Sequence, residues 1–274
     1  MQNRHVLITG GSSGIGLALA RQSAAAGARV SLVARDPARL AAAVASITSA
    51  APVFTAPADV SVETEITAAI RAAEAVHGPV DILITSAGIA RPGYFAELPA
   101  AVFERTMAVN FFGTLHAIKA VAPAMVARRR GSIAIIASGA GLVGLFGYTA
   151  YAPSKFALRG LAESLRAELK PAGVAVTIVY PPDTDTPQLA EENLTKPPET
   201  RALTAGAGLW TADAVARVTW KGIRAGRFSV TPGLPLTALA WFHSLFAPLL
   251  RRHFDRLAAR AHLDNQTRDQ TEDQ

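Results

Sequence analysis

Residues 5–27 read "HVLITGGSSGIGLALARQSAAAG". An apolar run of strand length enters a glycine-rich turn, and the turn opens into a segment of helical composition closed by Gly27. "RVSLVARD" (29–36) is strand-like again and "PARLAAAVASITS" (37–49) helical again, which completes a β-α-β unit. The alternation continues through "VFTAPADV" (53–60), a helix from about Val62 to His77, "VDILITSAG" (80–88), a long helix around 100–127, "GSIAIIAS" (131–138), a helix from about Tyr151 to Leu169, and "VAVTIVYPP" (174–182). Apolar strands without polar alternation imply a parallel sheet covered on both faces. The expectation is a single-domain α/β fold with a doubly wound, Rossmann-type sheet over residues 1–230, and a C-terminal apolar and amphipathic extension over 231–274.

Length and composition agree with one large domain: 274 residues, half of them hydrophobic, suffice for a single core. The chain has no cysteine, which excludes disulfides and thiolate metal sites. Only "MQNRH" precedes the first strand, too little for a signal peptide, and the expected location is cytoplasmic. The net charge of +6 is unevenly placed. Between Ala214 and Phe254 there is no acidic residue, while Arg217, Lys221, Arg224, Arg227, Arg251 and Arg252 are basic. Such a stretch suits an anionic membrane better than nucleic acid.

The turn "TGGSSGIG" puts Gly10, Gly14 and Gly16 where the first strand becomes the first helix. There the backbone must approach a pyrophosphate closely, and the helix N-terminus offers unpaired N–H groups to its charge. With Ser12, Ser13 and Ile15 these residues form the expected dinucleotide cradle. At the tip of the second strand stand Arg35 and, one helical turn later, Arg39, where an acidic residue would favour a ribose 2′-hydroxyl; NADPH/NADP+ is therefore expected. Asp59 and Val60 would flank the adenine, and Ser86, Ala87 and Gly88 would pass beneath the ribose.

At the other end of the cleft "YAPSK" sets Tyr151 and Lys155 four residues apart on one helix face. A neighbouring ammonium would lower the phenol's pKa from about 10 and let Tyr151 exchange a proton with a carbonyl oxygen. Ser138, thirteen residues earlier, ends a strand and is placed to polarise the same oxygen. Asn110, in "MAVNFFGTLHAI" (107–118), is an amide among apolar neighbours and needs hydrogen-bond partners.

With these motifs in this order the chain resembles the short-chain dehydrogenase/reductase family over about residues 4–182. The resemblance implies Tyr151 as acid/base, Lys155 as its partner and ribose ligand, Ser138 as carbonyl stabiliser and Asn110 as part of a proton relay. It also implies a homo-oligomer, dimer or tetramer. Two positions depart from the usual pattern: Ser86 stands where asparagine is frequent, and Pro153 where a small residue is usual.

Substrate choice in such a fold lies with the segment after the sixth strand, expected to form a lid over about residues 181–210. Here it reads "PPDTDTPQLAEENLTKPPET" (181–200), with Gln188 where glycine is common. The run is similar to that of the 3-ketodihydrosphingosine (3-dehydrosphinganine) reductases, which implies reduction of a long-chain amino-ketone lipid. The alternatives are another long-chain, N-acylated or steroid-like ketone, or a nucleotide-binding scaffold without catalysis. Prolines stiffen the segment, Pro181, Thr184 and Thr186 are expected against the cofactor, and one of Asp183, Asp185, Glu191 or Glu192 is expected to face the substrate amine. Disorder without ligand is the competing expectation.

Residues 234–250, "LPLTALAWFHSLFAPLL", carry no formal charge. A helix of that length spans about 26 Å, short of a hydrocarbon core of about 30 Å, and Pro235 and Pro248 are expected to shorten it. Beyond it Phe254, Leu257, Ala258 and Ala261 share a face opposite Arg252, Arg256 and Arg260. The pattern predicts peripheral attachment through residues 234–262 to the cytoplasmic face of a membrane. An oligomer contact or a hydrophobic lid packed on the substrate pocket is the alternative.

Overall fold

A computed structural model describes residues 1–205 and 208–272, the side chains of residues 246 and 262–272 excepted. Residues 206 and 207 of the expected lid, 273 and 274 of the expected extension, and the side chains of 246 and 262 in the expected membrane contact thus lie outside the description.

Seven strands form one parallel sheet: β1 (His5–Thr9), β2 (Arg29–Ala34), β3 (Phe54–Pro57), β4 (Ile82–Thr85), β5 (Gly131–Ile136), β6 (Val174–Val179) and β9 (Ser229–Val230), in the order β3-β2-β1-β4-β5-β6-β9. The order reverses between β1 and β4, and a doubly wound sheet opens its binding crevice at that switch point. Strand β1 explains the absence of polar alternation. Val6 and Ile8 pack on one side with Leu19, Leu32 and Ile84, and Leu7 packs on the other with Leu83, Ile118 and Ile133, all of them fully or nearly fully buried. Each such side chain contributes roughly 1.5–3 kcal/mol of burial.

The covering helices are α1 (Gly14–Ala25), α2 (Pro37–Ala45), α3 (Glu63–His77), α4 (Ala100–Met107), α5 (Gly113–Ala127), α6 (Tyr151–Leu169) and α9 (Ala212–Arg224). Two differ from expectation. Helix α2 stops at Ala45, because the Ser46 hydroxyl turns back to donate to the Ala43 carbonyl at 2.7 Å. The long helix around 100–127 is interrupted by a π turn, Ala108–Phe112, which carries Asn110. Such turns often mark functional positions, because the widened turn frees backbone groups.

The described residues of the expected lid form short regular elements. Strand β7 (Thr184–Asp185) pairs with β8 (Trp210–Thr211), and α7 (Pro187–Thr195) and α8 (Pro198–Thr204) follow β7. Thr186 caps α7 by accepting from Leu189 N at 3.2 Å, with Pro187 at the first helical position where no N–H is needed. Thr200 donates to the Phe146 carbonyl at 2.9 Å and pins α8 to the body.

The extension forms α10 (Leu234–Glu272). Its prolines do not shorten it, contrary to expectation. Pro235 lies in the first turn, where its missing N–H has no helical partner to lose, and Pro248 is carried inside the helix. The helix lays Leu236, Leu239 and Phe254 against the cleft and leaves Leu234, Trp241, Phe242, Leu245 and Leu249 exposed.

Candidate active site

A cleft of about 420 Å³ opens over the C-terminal ends of β1, β2, β4 and β5. Its nucleotide end is built by the glycine turn. Gly10 has φ +67°, and a Cβ on it would lie 2.6 Å from Ala87 N; a Cβ on Gly16 would run into the Gly10 carbonyl. Only glycine lets the turn close this tightly against the loop after β4. Helix α1 starts at Gly14 with no side-chain cap, so its first N–H groups face the cleft unclaimed. That donor set fits a diphosphate. Gly10, Ser12, Ser13, Gly14 and Ile15 line the cleft as expected, while Gly16 lies beneath them.

Arg35 and Arg39 line the rim where the second ribose of a dinucleotide would lie. The neighbouring Asp36 lines the same rim, with Oδ2 3.6 Å from Arg39 Nε. Its carboxylate caps α2, accepting from Ala38 N at 2.8 Å and Arg39 N at 3.2 Å. Asp59 and Val60 line the cleft, and Asp59 is bound by Arg105 at 2.7 Å and by Ser61. Burial alone would raise the Asp59 carboxyl, but Arg105 and Ser61 outweigh it and hold it at about 2. Ser86, Ala87 and Gly88 line the floor, the serine replacing the usual asparagine without distortion, its N–H on Thr9 O at 3.1 Å.

The reactive end is carried by α6 and the loop after β5. Ser138, Tyr151 and Lys155 all line the cleft, with Tyr151 and Lys155 more than nine-tenths buried. Lys155 Nζ donates to the Ile136 carbonyl at 3.3 Å and lies 5.4 Å from the centre of the Tyr151 ring. Pro153 sits in the first turn of α6, where it breaks no helical hydrogen bond. Asn110 does not line the cleft; its amide is spent on structure. It accepts from Ile89 N at 2.8 Å and donates to Ile89 O at 3.0 Å and Ser154 Oγ at 2.9 Å, tying the floor loop to α6. A Cβ on Gly88 would touch both Asn110 Oδ1 and Lys155 Nζ, so these groups converge there.

The expected drop in the Tyr151 pKa is not produced by the chain alone. Burial pushes the phenol up, the Glu192 carboxylate pushes it further, and contacts from Ser138 and Gln188 only partly counter this. Burial also lowers Lys155 to about 8, against a smaller opposing pull from Glu192. Burial and the Glu192 charge thus favour the protonated phenol, the form that donates to a carbonyl oxygen.

The lid supplies what pattern reading of the core motifs missed. Pro181, Thr184 and Thr186 line the cleft as expected. Thr184 donates to the Pro182 carbonyl at 2.8 Å, and Thr186 packs its methyl against the space beside Gly14. Behind them Glu192, only 7 % exposed, accepts from Tyr148 Oη and Gln188 Nε2, each at 2.8 Å. Gln188, the departure at the lid's start, thus donates to Glu192 and acts to lower the Tyr151 phenol. Of the four acids expected near an amine, Asp183 is bound to Lys196 at 3.3 Å, and Asp185 and Glu191 are exposed. Tyr148 had no signal in the sequence; only the folded lid brings Glu192 to it.

The family model for short chain dehydrogenases matches residues 4–197. The 3-dehydrosphinganine reductase of Danio rerio is 42 % identical over 239 residues, 85 % of this chain and 72 % of that protein. The 3-ketodihydrosphingosine reductase of Dictyostelium discoideum is 37 % identical over an alignment that covers 92 % of this chain and 84 % of that protein. Among solved structures, a short chain dehydrogenase/reductase from Burkholderia phymatum in complex with NAD superimposes with a TM-score of 0.81 at 26 % identity, covering 91 % of this chain and 95 % of that one. With the glycine cradle and the Ser138, Tyr151 and Lys155 cluster in one cleft, the chain belongs to the short-chain dehydrogenase/reductase family, NAD(P)-binding oxidoreductases, and acts on a ketone or hydroxyl group.

Proposed function

We propose that the protein reduces 3-ketosphinganine, a long-chain amino-ketone, to sphinganine with NADPH. The observation that carries this reading is the lid. The segment 181–200, whose sequence resembles that of 3-ketosphingoid reductases, contributes to the lining of the cleft and sets the buried Glu192 carboxylate there. The rest of the cleft suits an alkyl chain: Val143, Leu145, Leu189, Leu203, Leu236 and Leu239 supply an apolar wall.

The bound nicotinamide would supply the hydride to the carbonyl carbon. Gly10 to Ile15 would hold its diphosphate, Arg35 and Arg39 its 2′-phosphate, and Lys155 its ribose. Ser138 orients the carbonyl oxygen, and the Tyr151 hydroxyl gives up its proton to that oxygen as the alcohol forms. Lys155, while protonated, stabilises the phenolate left behind. The choice of NADPH over NADH rests on Arg35 and Arg39, with the Asp36 carboxylate between them engaged by the α2 N-terminus and by Arg39.

The outer stripe of α10 supports attachment at the cytoplasmic face of a membrane, where such a lipid resides. Trp241, Leu245 and Leu249 are exposed, and Arg251, Arg252 and Arg256 follow on exposed positions. Phe254, Leu257, Ala258 and Ala261 are half-buried, so the apolar contact falls to the earlier stripe. Exposed Phe112 and Phe156 support a homo-oligomeric contact beside α6.

The test is NADPH consumption by the purified protein with 3-ketosphinganine, its N-acyl form and a long-chain ketone without an amine, with NADH in parallel. Preference for the free amino-ketone and for NADPH is expected. Equal turnover of the three ketones would remove the substrate assignment.

A further inference from the structure

We infer that Glu192 is the specificity residue of the cleft: its carboxylate receives the substrate's ammonium group and so selects a free amine next to the reacting ketone. The inference rests on the amino-ketone reading above and adds the group that performs the selection.

Glu192 lies on α7, lines the cleft and is 7 % exposed. An ionised carboxylate in such a place is costly unless paired and hydrogen-bonded. Its hydrogen bonds are both from neutral donors, Tyr148 Oη on Oε2 and Gln188 Nε2 on Oε1. No lysine or arginine lies within ion-pair distance of it among the described residues. Lys196, the buried cation of the lid, is held by Asp183. Lys155 is committed to the Ile136 carbonyl. A carboxylate has about four acceptor sites, and two are used here. The remainder suits an ammonium, the donor that would complete the buried charge.

The location fits the chemistry of the substrate class. In an α-amino ketone the nitrogen is borne by the carbon next to the carbonyl, so its binding group must stand beside the group that protonates the oxygen. Tyr148 links the two, donating to Glu192 at 2.8 Å with its ring 5.4 Å from that of Tyr151. Asp183 and Glu191 also line the cleft, but Asp183 is paired with Lys196 and Glu191 is exposed to solvent, while Asp185 does not line it. An N-acyl substrate brings a neutral amide instead of a cation and leaves the buried charge uncompensated. Sites with committed polar groups reject analogues that cannot satisfy them.

The test is steady-state kinetics of wild type, Glu192→Gln and Glu192→Asp with 3-ketosphinganine and with the amine-free ketone, with NADPH affinity read by fluorescence. For Glu192→Gln, KM for the amino-ketone should rise about 10- to 100-fold, as for loss of a charge-assisted hydrogen bond. Assayed well below the alkaline limb that Lys155 sets, the amine-free ketone's kcat/KM and the NADPH affinity should fall by much less than the amino-ketone's kcat/KM, and Glu192→Asp should recover part of the loss. Equal losses on both ketones, or none on either, would overturn the inference. In wild type alone, sphinganine should inhibit at least about tenfold more strongly than N-acetylsphinganine, and equal inhibition would overturn it even if the variants do not fold. If wild type prefers the amine-free ketone, the functional reading itself fails; if only the variant comparison is flat, that reading stands and Glu192 does not.

Discussion

The Tyr148 hydroxyl donates to the Glu192 carboxylate over 2.8 Å, and the Tyr148 ring lies 5.4 Å from that of Tyr151. A lid residue is thereby tied to the edge of the catalytic helix. Burial, then the Glu192 charge, push the Tyr148 phenol well above its ordinary pKa, so it stays a donor throughout the working range. Tyr148→Phe removes one of two donors to a buried carboxylate, a loss on the order of 1–3 kcal/mol. Thermal unfolding should show a lower Tm. Kinetics should show a higher KM for the amino-ketone, with kcat less affected. An unchanged Tm and KM would mean the contact is not held in solution.

Tyr151→Phe should lower kcat about 10²- to 10⁴-fold, the usual worth of a positioned acid, and leave NADPH affinity within a few fold. NADPH oxidation that survives this change would remove Tyr151 from the mechanism.

The pH profile follows from Lys155, which burial brings to about 8. Below that value it is charged and supports the phenolate; above it the support is lost. For reduction, kcat/KM should therefore fall above about pH 8, since this ratio reports ionisations of the free enzyme. Glu192 holds Lys155 up, so Glu192→Gln should move the alkaline limb to lower pH. A limb that stays in place or moves upward would contradict the coupling.

Replacing Arg35 and Arg39 together by alanine should lower kcat/KM for NADPH about 10- to 100-fold and that for NADH less than about threefold. Equal loss for both cofactors would assign the arginines to structure instead of phosphate recognition.

The strand and helix order was legible because each strand is buried on both faces, as Leu7 and Ile8 illustrate. The cradle and the Tyr151, Lys155 and Ser138 cluster were legible because their spacing is local to one turn or one helix. What was not legible came from long-range packing. The Asn110 amide meets Ile89 and Ser154, far away in sequence, and Tyr148 meets Glu192 only once the lid has folded. The pKa of Tyr151 was misjudged because the motif displays the lysine but not the burial or the lid acid. Pro248 was misread because a helix packed along one side tolerates a missing hydrogen bond that an isolated one would not.

The exposed stripe of α10 predicts membrane binding by Trp241 and Leu245, which are 79 % and 72 % exposed. Changing both to serine should reduce co-sedimentation with anionic phosphatidylserine vesicles several-fold and leave turnover of a short, soluble ketone unchanged. Equal pelleting of variant and wild type would rule out attachment by this face.

At the opposite end of β1 from the cleft, His5 is fully buried. Its Nδ1–H donates to the Gly78 carbonyl at 2.7 Å and its Nε2 accepts from the Ser31 hydroxyl at 2.8 Å, which describes a neutral imidazole. Burial lowers its pKa to about 4, and the adjacent His77 is lowered as well, again first by burial. The folded state therefore binds fewer protons than the unfolded chain, whose histidines titrate near 6.5, and stability must rise with pH across that window. It is fully present above about 6.5 and is lost as the pH falls toward 4. From His5 alone the loss between pH 7.5 and pH 5 is about 2 kcal/mol. Urea unfolding at the two values measures the difference, and an NMR titration of the His5 ring identifies its source. If that ring titrates near 6.5 in the folded protein, the acid sensitivity belongs to another group.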